Sequence, residues 1–212
     1  MRVAIFSDVH GNLPALELMV KNAGLVDQYI CLGDVVNYGP WSNECVQYLN
    51  SLEKCIKIKG NHEEYFLSGC YNGKNELVKK FFDFCITDFT EQEFVKEYLS
   101  SYVLDHYYLC HTFNNRYVFQ DSKISLNRNY ITGHTHRQFK LESNGFILFN
   151  TGSVGQNREF LNRINYIIYN SLENSFDLRS LVYNVDTLIN EMKIRRYPEI
   201  CIDYYMSRIN RG

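Results

Sequence analysis

Five short polar clusters hold side chains that could bind metal ions, and they contain five of the six histidines. Each cluster follows a short apolar run. The clusters are Asp8-Val9-His10, Gly33-Asp34, Gly60-Asn61-His62, His111 and Gly133-His134-Thr135-His136. Carboxylate oxygen and imidazole nitrogen without thiolate suit borderline or hard divalent cations such as Mn, Fe, Co, Ni and Zn. The sixth histidine, His106, lies outside these clusters, and we assign it no role.

The spacing within the clusters indicates how the donors could meet. Residues at positions i and i+2 of an extended segment point the same way, so Asp8 can act with His10 and His134 with His136. A glycine precedes Asp34, and others precede the asparagine and the first histidine of later clusters, which lets the backbone turn sharply. Two aspartates, three or four histidines and one asparagine exceed what one tetrahedral zinc site uses. This number of donors is typical of two metals that share a carboxylate.

These clusters need strands that end together, and the first third of the chain predicts such strands. The apolar runs Val3–Phe6, Tyr29–Leu32 and Cys55–Ile58 indicate buried strands, each followed by a polar loop. Strands that alternate with helical segments predict parallel β-α units, whose carboxyl ends meet at one sheet edge. We expect the first helix to begin after Asn12 and the second to be capped by Ser42.

The remainder of the chain has a different pattern. Residues 63–105 have mainly helical periodicity, whereas the runs between Tyr107 and Val182 are short and closely spaced, which favours antiparallel pairing. Two further helices are expected around Val185–Arg195 and Glu199–Ile209. We therefore predict one domain over residues 1–212, with a helical insertion at about 63–105 and C-terminal helices at about 185–210.

Bulk composition argues against several classes of protein. A net charge of −2 argues against sequence-independent nucleic-acid binding, which normally needs a basic surface. The seven cysteines form no CxxC pair and their number is odd, which is typical of reduced thiols and not of a disulfide framework. No apolar stretch has the length needed to cross a bilayer. We expect a cytoplasmic protein that does not bind membranes; the sequence specifies no oligomeric state.

Taken in order, the clusters resemble the signature of the calcineurin-like metallophosphoesterase family, D-x-H, G-D, G-N-H-[DE], H and G-H-x-H. All five blocks occur in the first two thirds of the chain. The later run Asn150–Gln156 is similar to the N-P-G-S-V-G-Q of a small bacterial and archaeal phosphodiesterase-like branch, with Thr151 in place of proline. The resemblance implies an α/β fold with four layers (α/β/β/α), in which two mixed sheets are flanked by helices.

The resemblance also implies roles for individual residues. Asp34 would bridge two divalent metal ions, with Mn²⁺ as the first expectation and Fe, Zn, Ni or Co as alternatives. Metal-activated hydroxide would attack phosphorus in line, and His62 would assist the leaving group. The implied ligands are Asp8, His10, Asp34 and His136 for one metal, and Asp34, Asn61, His111 and His134 for the other.

The expected substrate depends on the branch of the family. Protein serine/threonine phosphatases carry an arginine that grips the phosphate where this chain has Tyr38, although Glu63 after His62 is similar to that branch. We therefore predict a phosphodiesterase acting on a small phosphate ester or a nucleotide. A phosphomonoesterase acting on proteins or nucleotides and a non-catalytic metal-binding scaffold are the alternatives. Candidate substrate contacts are Asn12, Tyr38, Arg137 and Arg158.

Overall fold

Residues 1–209, which the computed structural model describes, form ten strands and seven helices. The strands are β1 (Arg2–Phe6), β2 (Gln28–Cys31), β3 (Cys55–Lys57), β4 (Tyr102–Leu104), β5 (Tyr107–Leu109), β6 (Asn129–Thr132), β7 (Gln138–Ser143), β8 (Phe146–Thr151), β9 (Arg163–Asn170) and β10 (Ser175–Val182). The helices are α1 (Leu13–Ala23), α2 (Ser42–Ser51), α3 (Asn61–Ser68), α4 (Glu76–Cys85), α5 (Gln92–Lys96), α6 (Asp186–Ile194) and α7 (Glu199–Met206).

The first sheet has the strand order β10-β9-β1-β2-β3. β1, β2 and β3 are parallel, whereas β9 pairs antiparallel with both β1 and β10. The predicted β-α units of the first third of the chain are thus confirmed. Their loops open at one edge of the sheet because the connecting helices return the chain to the same starting side.

The second sheet has the order β4-β5-β6-β8-β7. The prediction that the later strands pair antiparallel is wrong at the centre of this sheet, because β5, β6 and β8 are parallel. The long connection between β5 and β6 leaves room for a crossover. β7 and β8 do form a hairpin, through Asn144 and Gly145 with φ of 53° and 77°, as a tight turn between twisted strands requires. β8, however, lies between β7 and β6, so succession along the chain does not match order in the sheet.

The two mixed sheets face each other and are flanked by helices, as predicted. Apolar side chains from both sheets fill the space between them, including Ile5, Ile30, Leu109 and Ile131. Helices pack on the outer face of the first sheet, where α1 buries Leu16 and Met19, and α6 buries Leu188. The outer face of the second sheet is covered by side chains of the β5–β6 connection, namely Phe113, Val118 and Leu126.

The first residues of α1 and α2 show whether the two predicted helix caps form. Asn12 caps α1 as expected, because its side chain accepts a hydrogen bond from the backbone N–H of Ala15. The prediction that Ser42 caps α2 is wrong, since Ser42 lies inside the helix and its Oγ accepts from the backbone N–H of Asn37. The helix instead begins after Trp41, which provides no side-chain cap.

The segment at 63–105 contains α4, α5, most of α3 and the short strand β4, which the helical prediction missed. Its description as an insertion in one domain stays a prediction. α6 and α7 lie within the two predicted C-terminal helices, and residues 210–212 fall outside the described residues. No helix among residues 1–209 combines the length and the apolar character that a membrane span requires. All seven cysteines are free, in agreement with the sequence analysis.

Candidate metal centre

The candidate metal-binding side chains lie where parallel strands of both sheets end. The loops after β1 and β2 carry Asp8 with His10 and Asp34, and Asn61 begins α3 directly after the loop that follows β3. The loops after β5 and β6 carry His111 and His134 with His136. Because the two sheets face each other with these ends at the same side, five connections deliver nitrogen and oxygen donors to one place.

The first donor set consists of Asp8, His10, Asp34 and His136, which are all buried. One potential ligand atom from each lies within 4.8 Å of the others. Nε2 of His136 is 3.1 Å from Oδ1 of Asp8 and 3.2 Å from Nε2 of His10. Nε2 of His10 is 3.9 Å from Oδ2 of Asp34. These four atoms are close enough to bind a single ion together.

The second donor set consists of Asp34, His111 and His134 and meets the same 4.8 Å limit. Nε2 of His111 is 3.1 Å from Oδ2 of Asp34 and 3.2 Å from Nδ1 of His134. Oδ1 of Asn61 lies 3.2 Å from the same His111 nitrogen, so this residue adds an amide oxygen to the set. Asp34 belongs to both sets, and its carboxylate therefore joins them.

The backbone fixes the orientation of three imidazole rings. In each ring Nδ1 donates to a carbonyl oxygen and Nε2 faces the donor sets: His10 donates to Val36 at 3.1 Å, His111 to Leu32 at 2.8 Å and His136 to Gln156 at 2.6 Å. A hydrogen bond from the remote ring nitrogen sets the tautomer and increases the basicity of the nitrogen that faces a metal. The loops thus prepare these rings as nitrogen donors.

Two features of the first donor set fit a divalent cation. Oδ1 of Asp8 is buried and has no hydrogen-bond partner with suitable geometry, which is rare for a carboxylate oxygen inside a protein. The Nε2 atoms of His10 and His136 approach to 3.2 Å while both Nδ1 protons are used elsewhere, so two lone pairs face each other. A bound cation removes both conflicts, and the oxygen and imidazole donors suit a borderline or hard metal.

The crowding of charges shifts several pKa values. Burial is the largest influence on the pKa of His111 and lowers it, but the adjacent carboxylate of Asp34 reverses the effect and raises this pKa to about 10. Burial alone would also raise the pKa of Asp34, but the imidazole of His111 holds it well below the usual range. Burial lowers the pKa of His134 to about 4. In the metal-free protein, His111 therefore carries the extra proton of the site.

Glu63 holds two of the ligand loops together. Its carboxylate accepts backbone N–H bonds from Asp34 at 2.7 Å, Val35 at 2.7 Å and Val36 at 3.2 Å, and also from Gly60 at 2.7 Å. The side chain is fully buried. Burial, followed by the charge of Asp34, raises the pKa of Glu63 to about 7. Positive charge beside Asp34 offsets that repulsion, so metal binding favours the ionised carboxylate that the four N–H groups require.

The donors converge through backbone conformations that the i and i+2 argument did not anticipate. Asp8, His10, His134 and His136 all have positive φ, between 49° and 70°, and are therefore not extended. Asp34 shares this left-handed region, with φ of 55°. Such residues are costly outside glycine and cluster at functional sites, where surrounding structure enforces them. His134 and His136 contribute to different donor sets, which Asp34 joins.

Two of the glycines allow close approach rather than a sharp turn. A Cβ atom on Gly60 would lie 2.2 Å from Oδ1 of Asp34, and one on Gly133 would lie 2.0 Å from Oγ of Ser7. Neither glycine has the positive φ that the turn argument implied. Both positions therefore exclude side chains because Asp34 packs against Gly60, and the side chains of Ser7 and Asp8 pack against Gly133.

Three further side chains lie beside the donor sets. Nε2 of His62 is 3.9 Å from Oδ2 of Asp34, and burial is the main reason that the pKa of His62 falls to about 4. The buried ring of Tyr38 lies 4.7 Å from that of His10 and 5.3 Å from that of His62. Arg158 lines the same cavity and forms no ion pair with a carboxylate among residues 1–209.

Two candidate substrate contacts are placed elsewhere. Asn12 is fully buried, caps α1 through Oδ1 and donates from Nδ2 to the carbonyl of Gly155 and the hydroxyl of Tyr183, so its polar atoms are already used. Arg137 is exposed and lines a separate cavity with Phe119. Proximity to a candidate ligand in the sequence did not predict where these two side chains lie. The prediction that Asn12 contacts substrate is corrected to a structural role, and Arg137 does not face the donor sets.

Two cavities meet at the donor sets. The smaller, of about 230 Å³, is lined by His62, Tyr38 and Arg158. The larger, of about 970 Å³, extends from His111 over the second sheet. Both are lined by Asn61, Tyr65, Tyr117 and His134. A ligand held at the donor sets could therefore extend in two directions.

Comparison with known proteins identifies the family. Residues 1–172 match the model of the calcineurin-like phosphoesterase superfamily domain. The chain belongs to this superfamily. It is a metal-dependent phosphoesterase, and the two donor sets could hold the divalent metals that this family uses.

The chain is similar to an archaeal protein, to part of a yeast phosphatase and to a solved metallophosphoesterase structure. An uncharacterised protein of Methanocaldococcus jannaschii is 27% identical over 93% of this phosphoesterase and 94% of its own length. A serine/threonine-protein phosphatase 2B catalytic subunit of Saccharomyces cerevisiae is 32% identical over 98 residues, which are 41% of this chain and 18% of that protein. The crystal structure of a metallophosphoesterase from Sphaerobacter thermophilus superposes with a TM-score of 0.80 at 22% identity, covering 99% of both chains, and shows the same fold.

Replacement of Glu63 by glutamine should weaken metal binding by the phosphoesterase. One amide oxygen cannot accept all four backbone N–H bonds, and the amide NH₂ would face other donors. We expect the E63Q variant to unfold at lower temperature and to bind Mn²⁺ roughly 10- to 100-fold more weakly, as for other residues that support metal ligands. Calorimetric titration measures the affinity. The exposed neighbour Glu64 provides the matched control E64Q, and equal affinity of E63Q and E64Q would contradict this role.

Metal binding at pH 8.5 should release protons. At this pH His111 of the metal-free protein keeps its extra proton, because its pKa is raised to about 10, and a metal at Nε2 must displace it. We expect release of at least about one proton per chain, and about one fewer in the H111Q variant. Titration in buffers of different ionisation enthalpy measures this number. A binding enthalpy that does not depend on the buffer would contradict the prediction.

Proposed function

We propose that this phosphoesterase is a phosphodiesterase with a binuclear metal centre. Two divalent cations would share the carboxylate of Asp34. The first would also be held by Asp8, His10 and His136, and the second by Asn61, His111 and His134. The observation that carries the proposal is the membership of Asp34 in both donor sets, with Oδ2 at 3.1 Å from His111 and 3.9 Å from His10. Two ions on one carboxylate can act on one phosphate group.

The chain orients the metal ligands, and the metals would act as Lewis acids on the phosphate group. When bound, two divalent cations polarise phosphoryl oxygens and favour the ionisation of water. Mn²⁺ is our first choice, with Fe, Zn, Ni or Co as alternatives, because the oxygen and nitrogen donors admit all of them. The protein contributes fixed imidazole orientations through three Nδ1 hydrogen bonds and a bridging carboxylate held in a left-handed loop.

His62 is proposed to assist the leaving group. It is 6% exposed, lines the smaller cavity and belongs to neither donor set. Its backbone N–H donates to Oδ1 of Asp34 at 2.9 Å, so the same carboxylate that joins the donor sets also fixes this residue. The ring is therefore positioned to donate a hydrogen bond to an oxygen of a phosphate group bound beside Asp34.

The size of the two cavities and the charge of the side chains that line them support a preference for diesters. A phosphodiester has two substituents on phosphorus, and cavities of about 230 and 970 Å³ extend in two directions from the donor sets. Tyr38 places a neutral ring against His10. Arg158 is the cationic side chain lining the smaller cavity, which suits the single negative charge of a diester. The shared aromatic wall, with Tyr65 and Tyr117, suits a nucleotide or another ester with a planar group.

A phosphomonoesterase is the second candidate. The local similarity to a serine/threonine-protein phosphatase supports it, and the guanidinium of Arg158 could bind a dianion as well as a monoanion. The same metal centre serves both reactions, so the distinction lies in the cavity walls. A non-catalytic scaffold is disfavoured because His62 lies beside the bridging carboxylate.

Relative turnover of two chromogenic substrates tests the proposal. With Mn²⁺, we expect bis(4-nitrophenyl) phosphate to be hydrolysed with higher kcat/KM than 4-nitrophenyl phosphate, because the diester can use both cavities. The H62A variant should lose roughly 100-fold or more in kcat, as expected when the leaving group loses its hydrogen-bond donor.

The control for that experiment is His106, an exposed histidine remote from the donor sets, and H106A should behave as the unmodified protein. Metal content of each variant is measured by elemental analysis. Higher kcat/KM for the monoester would reject the diester preference. Absence of hydrolysis in protein that holds two metals would reject the enzymatic role altogether.

A further inference from the structure

Asn37 is a buried side chain whose orientation is fixed by its own loop. Its backbone has φ of 74°, and its backbone N–H donates to Oγ of Ser42 at 3.1 Å. Its Oδ1 accepts the backbone N–H of Tyr38 at 2.8 Å. The amide oxygen is therefore already used, and the amide NH₂ is the end that faces His62.

This contact determines where the imidazole of His62 carries its proton. Nδ2 of Asn37 lies 2.9 Å from Nδ1 of His62. An amide nitrogen donates hydrogen bonds and does not accept them, so Nδ1 must be the acceptor. The ring proton is consequently on Nε2, which lies 3.9 Å from Oδ2 of Asp34 and lines the smaller cavity.

We propose that Asn37 is a positioning residue that holds His62 as the Nε2–H tautomer, and that the chain therefore acts on phosphate groups whose leaving oxygen departs without receiving a proton. The inference rests on the proposed function. It adds a substrate class, namely diesters and anhydrides with a stable leaving anion, such as a phosphate, a polyphosphate or an aryl oxide.

The chemical reason is the number of protons on the ring. With Nδ1 used as an acceptor, His62 has one proton, and complete transfer of that proton would leave an imidazolate. The Nε2–H group therefore donates a hydrogen bond and keeps its proton. A new bond forms between phosphorus and the oxygen of water, the bond from phosphorus to the leaving oxygen breaks, and the electron pair departs with that oxygen. The proton lost by water passes to the solvent.

An aspartate at position 37 would act differently. A carboxylate could still accept the backbone N–H of Tyr38, and it would also accept a proton-bearing Nδ1 of His62. A ring with an acceptor at Nδ1 can hold protons on both nitrogens and give the one on Nε2 to a poor leaving group, such as an alkoxide. The single exchange of amide for carboxylate thus separates two classes of substrate.

The tautomer of His62 is tested by nuclear magnetic resonance, which does not require catalytic turnover. In protein labelled with ¹⁵N at histidine and loaded with Zn²⁺, which is diamagnetic, the chemical shifts of the ring nitrogens show which one carries the proton. We expect His62, assigned by comparison with H62A, to have its proton on Nε2 alone, and His62 of N37D to carry a proton on Nδ1 as well. A proton on Nδ1 in the unmodified protein would overturn the inference.

The substrate class is tested with aryl phosphodiesters that share one ester group and differ in the phenol released. For the unmodified protein, kcat should fall steeply as the pKa of the phenol rises. N37D should flatten this dependence and gain about tenfold or more on the poorest leaving group relative to the best. N37A should lower kcat towards that of H62A with little change in KM, because the ring loses its partner.

Asn43 provides a matched control, since its amide contacts Asp88 and Thr90 outside the cavity, and N43D should keep the original dependence. If kcat depends equally steeply on the pKa of the phenol in N37D and in the unmodified protein, and activity still requires His62, the inference about Asn37 is rejected while the proposed function stands. Full activity of H62A would instead reject the proposed role of His62. If N37D does not fold, the N37A variant tests the inference. A kcat of N37A equal to that of the unmodified protein would reject the positioning role of Asn37.

Discussion

The carboxylate of Asp34 is buried among imidazole nitrogens that come from both sheets. Its Oδ2 faces His111 at 3.1 Å and His10 and His62 at 3.9 Å each, and its Oδ1 accepts the backbone N–H of His62. Most of the surrounding architecture keeps this one group in place. The parallel strands bring their ends together, Gly60 lets the next loop approach the carboxylate, and Glu63 binds the backbone of both loops.

Such an arrangement is unfavourable without bound cations. Two carboxylates and three imidazoles are buried within a few ångströms, with the half-buried imidazole of His134 beside them. Several residues have left-handed backbones, and Oδ1 of Asp8 has no hydrogen-bond partner. The rest of the fold must supply the stability that the site lacks, and three clusters of buried apolar side chains serve this purpose. Metal binding and the ionisation of Glu63 then support each other, because both respond to the charge of Asp34.

The sequence allowed the donors to be identified but not the way in which the chain holds them. Asp8, Asp34 and Asn61 follow the three alternating strands of the first third, whose carboxyl ends were expected at one sheet edge. The family and the fold are confirmed. The roles of Glu63 and Asn37 were missed because their partners are backbone and side-chain groups of other loops. The parallel pairing of β5, β6 and β8 was missed because strand spacing does not specify order in a sheet.

Metal stoichiometry combined with electron paramagnetic resonance of the Mn²⁺-loaded protein tests the bridging role of Asp34 most directly. Our account predicts two Mn²⁺ ions per chain with the spectrum of an exchange-coupled pair. Replacement of Asp34 by alanine should abolish the coupling and lower the occupancy of both sites. Binding of one ion only, or of two uncoupled ions in the unmodified protein, would contradict the account.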